Sequence, residues 1–356
     1  MKAKKFLAML MVGAALLGLT ACGGSKQEAP KQEEAPKQEQ VQAEAPKADA
    51  VVVQIAYENN PGEPTDLAAN EWKRLIEEKS NGTMTVELFP SSQLGSKTDL
   101  VDQMQMGEGI IHIGDASFWA DYGAPEMSIA SAPYIYDNWD QYFKLLETDW
   151  WQSQIDLLAD NGLRIVTANW EYGVRELMTT KPVRTLDDLS GMIIRTPNNV
   201  MQMKTWEEMG AAPTAMALGD VYTATQQGTI DGMENPMATL YGQAYYEVAK
   251  YITLIDYIRM PVQWITSESW FQSLTPEQQQ ILCEAGDEAG LFNNQKQDEM
   301  LAQYMSDMEA NGVEIITPSD AEMARFKEAA LKIYQNADVT AKWSDGLYDS
   351  IRGWIG

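Results

Sequence analysis

Leu186-Asp187-Asp188-Leu189-Ser190-Gly191-Met192-Ile193-Ile194-Arg195-Thr196-Pro197-Asn198 is the stretch on which the reading of this chain turns. Ile193 and Ile194 form a short apolar run between Gly191 and Pro197, the pattern of a buried strand. The strand ends in Arg195, a permanent cation. A guanidinium taken out of water is costly unless an anion meets it. Arg195 therefore requires either an acidic side chain from elsewhere in the chain or an incoming anionic ligand. The pattern alone is compatible with both.

On the amino-terminal side of this segment, residues 163–168 predict a strand that delivers Trp170, Tyr172 and Arg175 to a loop. On the other side, helices are expected over 198–209 and 221–227, the second leading into a strand that carries Asn235 within Glu234-Asn235-Pro236. Arg175, Arg195 and Asn235 thus emerge near strand ends in one domain. Asn-Pro is also ordinary turn chemistry, which gives Asn235 a purely local alternative.

Further upstream, 51–57 reads as a strand followed by a loop over 58–63. Ala68, Trp72, Leu75 and Ile76 then fall at helical spacing, with Thr65 or Asp66 as the expected N-cap. Met84, Val86 and Leu88 alternate with polar residues in a strand that Pro90 stops, and a helix over 97–106 leads into a strand at 110–113. Strand, helix, strand, helix, strand predicts an α/β fold with a parallel sheet, whose ligands sit beyond the carboxyl ends of the strands. The loops at 59–65 and 115–119 are then expected to face a cleft. Residues 138–161 read as one helix, and 247–257 as a helix end running into a strand. Thr275-Pro276-Glu277 opens a long helix with Thr as cap and Pro in the first turn. That helix runs to Asn311, with a strand at 313–316 and a helix at 319–335 as scaffold.

The 356 residues are 45% hydrophobic and 22% charged, enough for two packed domains. A net charge of −26 without any basic tract excludes nucleic-acid binding, while still allowing a few cations in a cleft to hold an anion. Cys22 and Cys283 are the only cysteines, which rules out a disulfide framework or a cysteine zinc site. The lone histidine, His112, lies on a strand, where an exposed or structurally satisfied ring is expected rather than a catalytic one.

Residues 1–21 combine Lys2, Lys4 and Lys5 with an apolar stretch and small residues, the build of a secretory signal peptide rather than a lasting span. Leu19-Thr20-Ala21-Cys22 resembles a bacterial lipobox, which implies lipidation of Cys22 and an extracytoplasmic, membrane-anchored protein. Residues 22–50 repeat Glu-Ala-Pro-Lys-Gln-like units with almost no bulky apolar side chain, and are expected to form a disordered tether. These first fifty residues carry seven lysines against six carboxylates, so the acidity belongs to the folded body.

Gly173-Val174-Arg175, the segment through Ile194-Arg195-Thr196-Pro197-Asn198, Gly210 to Met216, Asp220-Val221-Tyr222 with Gln226-Gln227-Gly228, and Ile230-Asp231-Gly232 with Glu234-Asn235-Pro236 come in an order similar to that of one family. The chain resembles the solute-binding proteins of tripartite ATP-independent periplasmic (TRAP) transporters, from about residue 51 to about 282. The resemblance implies a two-lobed α/β fold of the periplasmic-binding-protein kind with a hinged cleft. Lobe I is expected over 51–169 and the core of lobe II over 170–257, with helical segments over 258–356 bracing both. It further implies that Arg195 bridges to a substrate carboxylate and that Arg175 and Asn235 are site residues. Asn198 and Leu218 occupy positions that line the site in some relatives. Those relatives carry an aromatic where this chain has Leu218, so Trp170 and Tyr172 are the candidates for an aromatic surface, with core packing an equal alternative for Trp170.

On this reading the protein captures a small organic acid, delivers it to TRAP membrane subunits, and is neither an enzyme nor dependent on a cofactor or metal. No Gly-x-Ser-x-Gly elbow, His-Glu-x-x-His or phosphate-cradling glycine loop occurs. Carboxylate-dependent glycoside hydrolysis has no distinguishing feature in a chain so rich in Asp and Glu. A structural or adhesive surface lipoprotein fits the leader and tether equally well, but gives no reason for a cation at the end of a buried strand.

Overall fold

The computed structural model describes residues 50–356. Residues 1–49, where the signal peptide, the lipidated Cys22 and nearly all of the tether are expected, lie outside the described residues. Strands β1 (Val51–Ala56), β2 (Met84–Phe89) and β3 (Ile110–Asp115) pair in parallel, with β1 central. The helices Pro64–Lys79 and Lys97–Gln105 connect them. This is the alternation expected of an α/β lobe, and each strand ends where an apolar run gives way to polar or breaking residues. The first helix departs in its cap. Glu63 is the N-cap without a side-chain bond, because Pro64, preset in φ, takes the first helical position and pushes Thr65 and Asp66 into the first turn.

The second lobe is built from β5 (Ile193–Thr196), β6 (Ala212–Ala215) and β7 (Gly232–Pro236), with β5 parallel to both neighbours. Two 17-residue strands, β4 (Leu163–Thr179) and β8 (Tyr251–Ser267), run antiparallel through both lobes and merge everything into one nine-stranded sheet of order β2-β1-β3-β8-β4-β7-β5-β6, with β9 (Glu314–Ile316) on β8. One end of the pair joins β3 through Val262 to Ile265, and the other joins β7 through Arg175 to Thr179. Four register shifts fall between Ile165 and Leu177. Such bulges bend and twist strands, and they sit where the two lobes meet, the position of a hinge.

Three expectations change accordingly. Trp170, Tyr172 and Arg175 lie on β4 itself rather than on a loop, because β8 keeps the ladder going. Residues 258–267 are strand, not helical bracing. The helix expected over 138–161 is two helices, Trp139–Leu146 and Asp149–Asp160, because Thr148 accepts a bond from Trp151 N and starts a new helix.

The long helix Pro276–Ala310 begins as expected, with a capping box between Thr275 and Gln278, and packs along β4 and the first helix. Trp72 and Trp170 donate their indole N–H groups to Leu282 O and Gly286 O of this helix, at 3.1 and 3.0 Å. With Trp264 they form one aromatic cluster, with ring centroids 5.0 to 6.0 Å apart. Gly290 lets the helix approach this closely, since a Cβ there would lie 2.1 Å from Asn169 Oδ1. Trp170 is thereby fully buried in the core, which removes it from the expected aromatic surface of the cleft.

Candidate ligand-binding site

A cavity opens beyond the carboxyl ends of β1, β3, β5 and β7, lined by Glu58, Asp115, Arg195 and Asn235 from those ends. The rule for open α/β sheets places a ligand at this edge. The expected cleft loops each contribute, through Asn59 and Asp115, and Tyr172, Arg175 and Leu218 complete the wall.

Arg195 is only 3% exposed. Its Nε and Nη2 both donate to Met216 O, just past β6, at 2.9 and 2.6 Å. Among the described residues no carboxylate lies within 4.0 Å of it, and Nη1 has no acceptor. Burial pulls its pKa down, while Tyr245, Glu58 and Glu234 act the other way. The internal ion pair that the strand pattern left open is therefore absent, and a buried cation faces the cavity without an anion. Beside it on β7, Asn235 is buried and its Nδ2 finds no acceptor among the described residues. Buried donors without partners are rare in folded proteins, and such an amide beside a guanidinium that no carboxylate matches points to an acceptor from outside.

Arg175 stands differently. Its Nε and Nη2 meet Glu234 Oε2 and Oε1 at 2.5 and 2.8 Å, and Nη2 also reaches Glu234 O at 2.8 Å. Glu234 additionally accepts from Tyr257 Oη and, at 3.2 Å, from Gln202 Nε2. Burial alone would lower the Arg175 pKa, but the Glu234 carboxylate more than reverses this and holds the guanidinium charged. Arg175 thus borders the cavity with its charge already matched. Gly173 belongs to the same construction. Its φ is +124°, and a Cβ would come within 2.8 Å of Pro236, so only glycine lets β4 fold against the end of β7.

Tyr172 is half-buried and its Oη accepts from Asn59 Nδ2 and Thr239 Oγ1, at 3.2 and 3.0 Å, presenting the ring to the cavity. Leu218 is buried in the same wall, and Asn198 is exposed at the rim of an adjoining chamber that shares Arg195. Of the sequence candidates, Arg195, Arg175, Asn235, Tyr172 and Leu218 converge on one cavity, Asn198 joins at its edge, and Trp170 does not take part.

Two charged lining residues escaped sequence reasoning. Glu58 follows β1, and Lys97 opens the helix Lys97–Gln105. They meet at 3.1 Å, with side chains 14% and 20% exposed. Burial pushes the Glu58 carboxyl up, but the Lys97 and Arg195 cations hold it below its ordinary value. His112 is buried with Nδ1 on Ala56 O at 2.8 Å, and burial pushes it down to about 4, so it stays neutral. A lysine in the first turn of a helix opposes the helix dipole, and that local disagreement was the signal for Lys97.

The model of bacterial extracellular solute-binding proteins, family 7 (DctP) matches residues 55–339. A TRAP periplasmic solute-binding protein from Ochrobacterium anthropi, solved with bound L-fuconate, superposes with a TM-score of 0.83 at 40% identity, covering 86% of this chain and 100% of that one. One from Actinobacillus succinogenes 130z, with bound L-galactonate, gives 0.82 at 33% identity over 86% of this chain and 99% of that one. The 2,3-diketo-L-gulonate-binding periplasmic protein YiaO of Escherichia coli is 28% identical over 278 residues, 78% of this chain and 84% of that one. A match over most of the described residues, on a two-lobed sheet with a cation-bearing cleft, makes this chain a member of the DctP family of TRAP solute-binding proteins.

Proposed function

We propose that the protein captures a sugar acid of the aldonate kind in this cleft and hands it to the membrane subunits of a TRAP transporter. The observation that carries the reading is Arg195, buried, without a carboxylate partner and open to a cavity it shares with the unpaired Asn235 Nδ2. A carboxylate placed there accepts charge-assisted bonds from the guanidinium fork and a further bond from the amide. Glu58, Asn59 and Asp115 face the same space and supply acceptors and donors for a hydroxylated chain. Relatives that are 40% and 33% identical were solved with L-fuconate and L-galactonate, each a carboxylate on a polyhydroxylated chain. The site is built to hold an anion, not to turn it over: the cleft carboxylates are engaged in capping or ion pairing, and the only histidine is a buried neutral ring. An adhesive role leaves the unpaired Arg195 unexplained.

A thermal-shift panel of L-fuconate, L-galactonate and the corresponding neutral sugars tests this. A ligand that binds only the folded state stabilises it, so an aldonate about a thousandfold above its Kd should raise Tm by roughly 5 to 10 °C. The neutral sugars, lacking the carboxylate, should raise it little. A panel in which no acid shifts Tm, or in which neutral sugars match the acids, sinks the reading.

We further propose that the chain is exported and held at a membrane through lipid on Cys22, on the strength of the lipobox-like Leu19-Thr20-Ala21-Cys22 and the Pro/Glu/Lys/Gln-rich segment after it. No helix among the described residues is long and apolar enough to cross a membrane. Mass spectrometry of the membrane-extracted protein should find a diacyl or triacyl group on Cys22, and a product that begins elsewhere contradicts the anchor.

A further inference from the structure

The charges that line the cleft are arranged unequally. Arg175 is matched by Glu234, Asp115 Oδ1 accepts from the N–H groups of Ser117 and Phe118, and Lys97 is matched by Glu58. Among the described residues that line the cavity, Arg195 is the one cation with no carboxylate in reach. The Glu58–Lys97 pair borders the same two chambers as Arg195. It is close enough for Arg195 to help hold Glu58 ionised.

We propose that Glu58, by occupying Lys97, sets the cleft to accept one carboxylate and to reject a second, so that a polyhydroxy monocarboxylate is bound and the dicarboxylate of the same carbon chain is refused. This selectivity rests on the sugar-acid reading of the cleft. The chemistry follows from donor and acceptor inventories. A hydroxyl both donates and accepts, so it satisfies Glu58 oxygens and Lys97 N–H groups together. A carboxylate only accepts. With Arg195 taken by the first carboxylate, a second would meet the Glu58 and Asp115 carboxylates that line the same cavity, where Lys97 is already engaged. Like charges brought together in a partly desolvated site are strongly disfavoured, which makes Glu58 a device against the wrong ligand. Lys97 also lies 5.4 Å from the centroid of the Phe118 ring, which holds the ammonium near Glu58 rather than letting it swing free toward a ligand.

A stabilising role for the pair alone predicts something else. A partly buried ion pair contributes little net stability once desolvation is counted, and a purely structural pair has no reason to discriminate between ligands.

The test is calorimetric titration of the purified protein and its Glu58→Gln variant with L-galactonate and with galactarate, which carries a carboxylate at both ends of the same chain. The wild type should prefer L-galactonate by about tenfold or more. Glu58→Gln frees Lys97 for the second carboxylate, and should shift the ratio of the two affinities by at least about tenfold toward galactarate. Lys97→Gln should move the ratio the other way, and it keeps the inference open to refutation if Glu58→Gln does not fold. A wild type that binds L-galactonate combined with an unchanged ratio in the folded variants overturns the inference and leaves the sugar-acid reading standing. Failure of both acids to bind the wild type overturns the two together.

Discussion

Arg195→Ala should lose about 1.5 to 3.5 decades of affinity for the acid, with Arg195→Lys losing less but still measurably, while the ligand-free protein melts close to the wild type. The loss corresponds to roughly 2 to 5 kcal/mol, the range for removing one partner of a buried, hydrogen-bonded charge pair. Lysine keeps the charge and loses the planar fork, so it cannot give two parallel bonds to one carboxylate. The unbound protein has little to lose, since among the described residues Arg195 hydrogen-bonds only the Met216 carbonyl and has no carboxylate in reach. Calorimetric titration beside ligand-free melting curves decides the matter. Unchanged affinity with a collapsed melting temperature would identify Arg195 as a structural arginine.

Arg175→Ala should show the reverse balance. Its partner Glu234 is 0% exposed at the side chain, and without the guanidinium a carboxylate is stranded in the core with only Tyr257 and Gln202 as donors. Stranding one half of such a pair costs about 3 to 5 kcal/mol, which translates into a fall in Tm of roughly 5 to 15 °C for the ligand-free protein. Differential scanning calorimetry without ligand measures it. A variant that melts like the wild type yet no longer binds would show that Arg175 leaves Glu234 to hold the ligand, and the two arginines would then exchange roles.

The division of labour between those arginines is what the sequence could not show. Both are expected near strand ends, and both belong to the segments that carry the family resemblance. What separates them is Glu234, 59 residues from Arg175 and brought within 2.5 Å by the pairing of β4 with β7. Short strands bounded by breakers were legible, because Pro90 and Pro197 stop them locally and the apolar run is complete within a few residues. The crossing strands were not. Gly173 and Pro261 lie within these continuous strands at one of the register shifts, where Pro261 stands opposite Glu171 and the ladder is already irregular. Trp170 reads equally as cleft or core until the long helix, more than a hundred residues later, presents Gly286 O to its indole. Glu58 and Lys97 are 39 positions apart, and only the parallel sheet brings the end of β1 beside the start of that helix.

Whether Arg195 is the seat of the ligand's carboxylate is decided by a crystal structure of the complex with L-fuconate or L-galactonate. A carboxylate is expected within roughly 3 Å of Arg195 nitrogens. Asn235 Nδ2 should donate to the same ligand, with the Arg175–Glu234 pair intact. A carboxylate seated instead on Lys97 or Arg175, with Arg195 still bound only to Met216 O, would refute the assignment of Arg195 as the ligand's anchor.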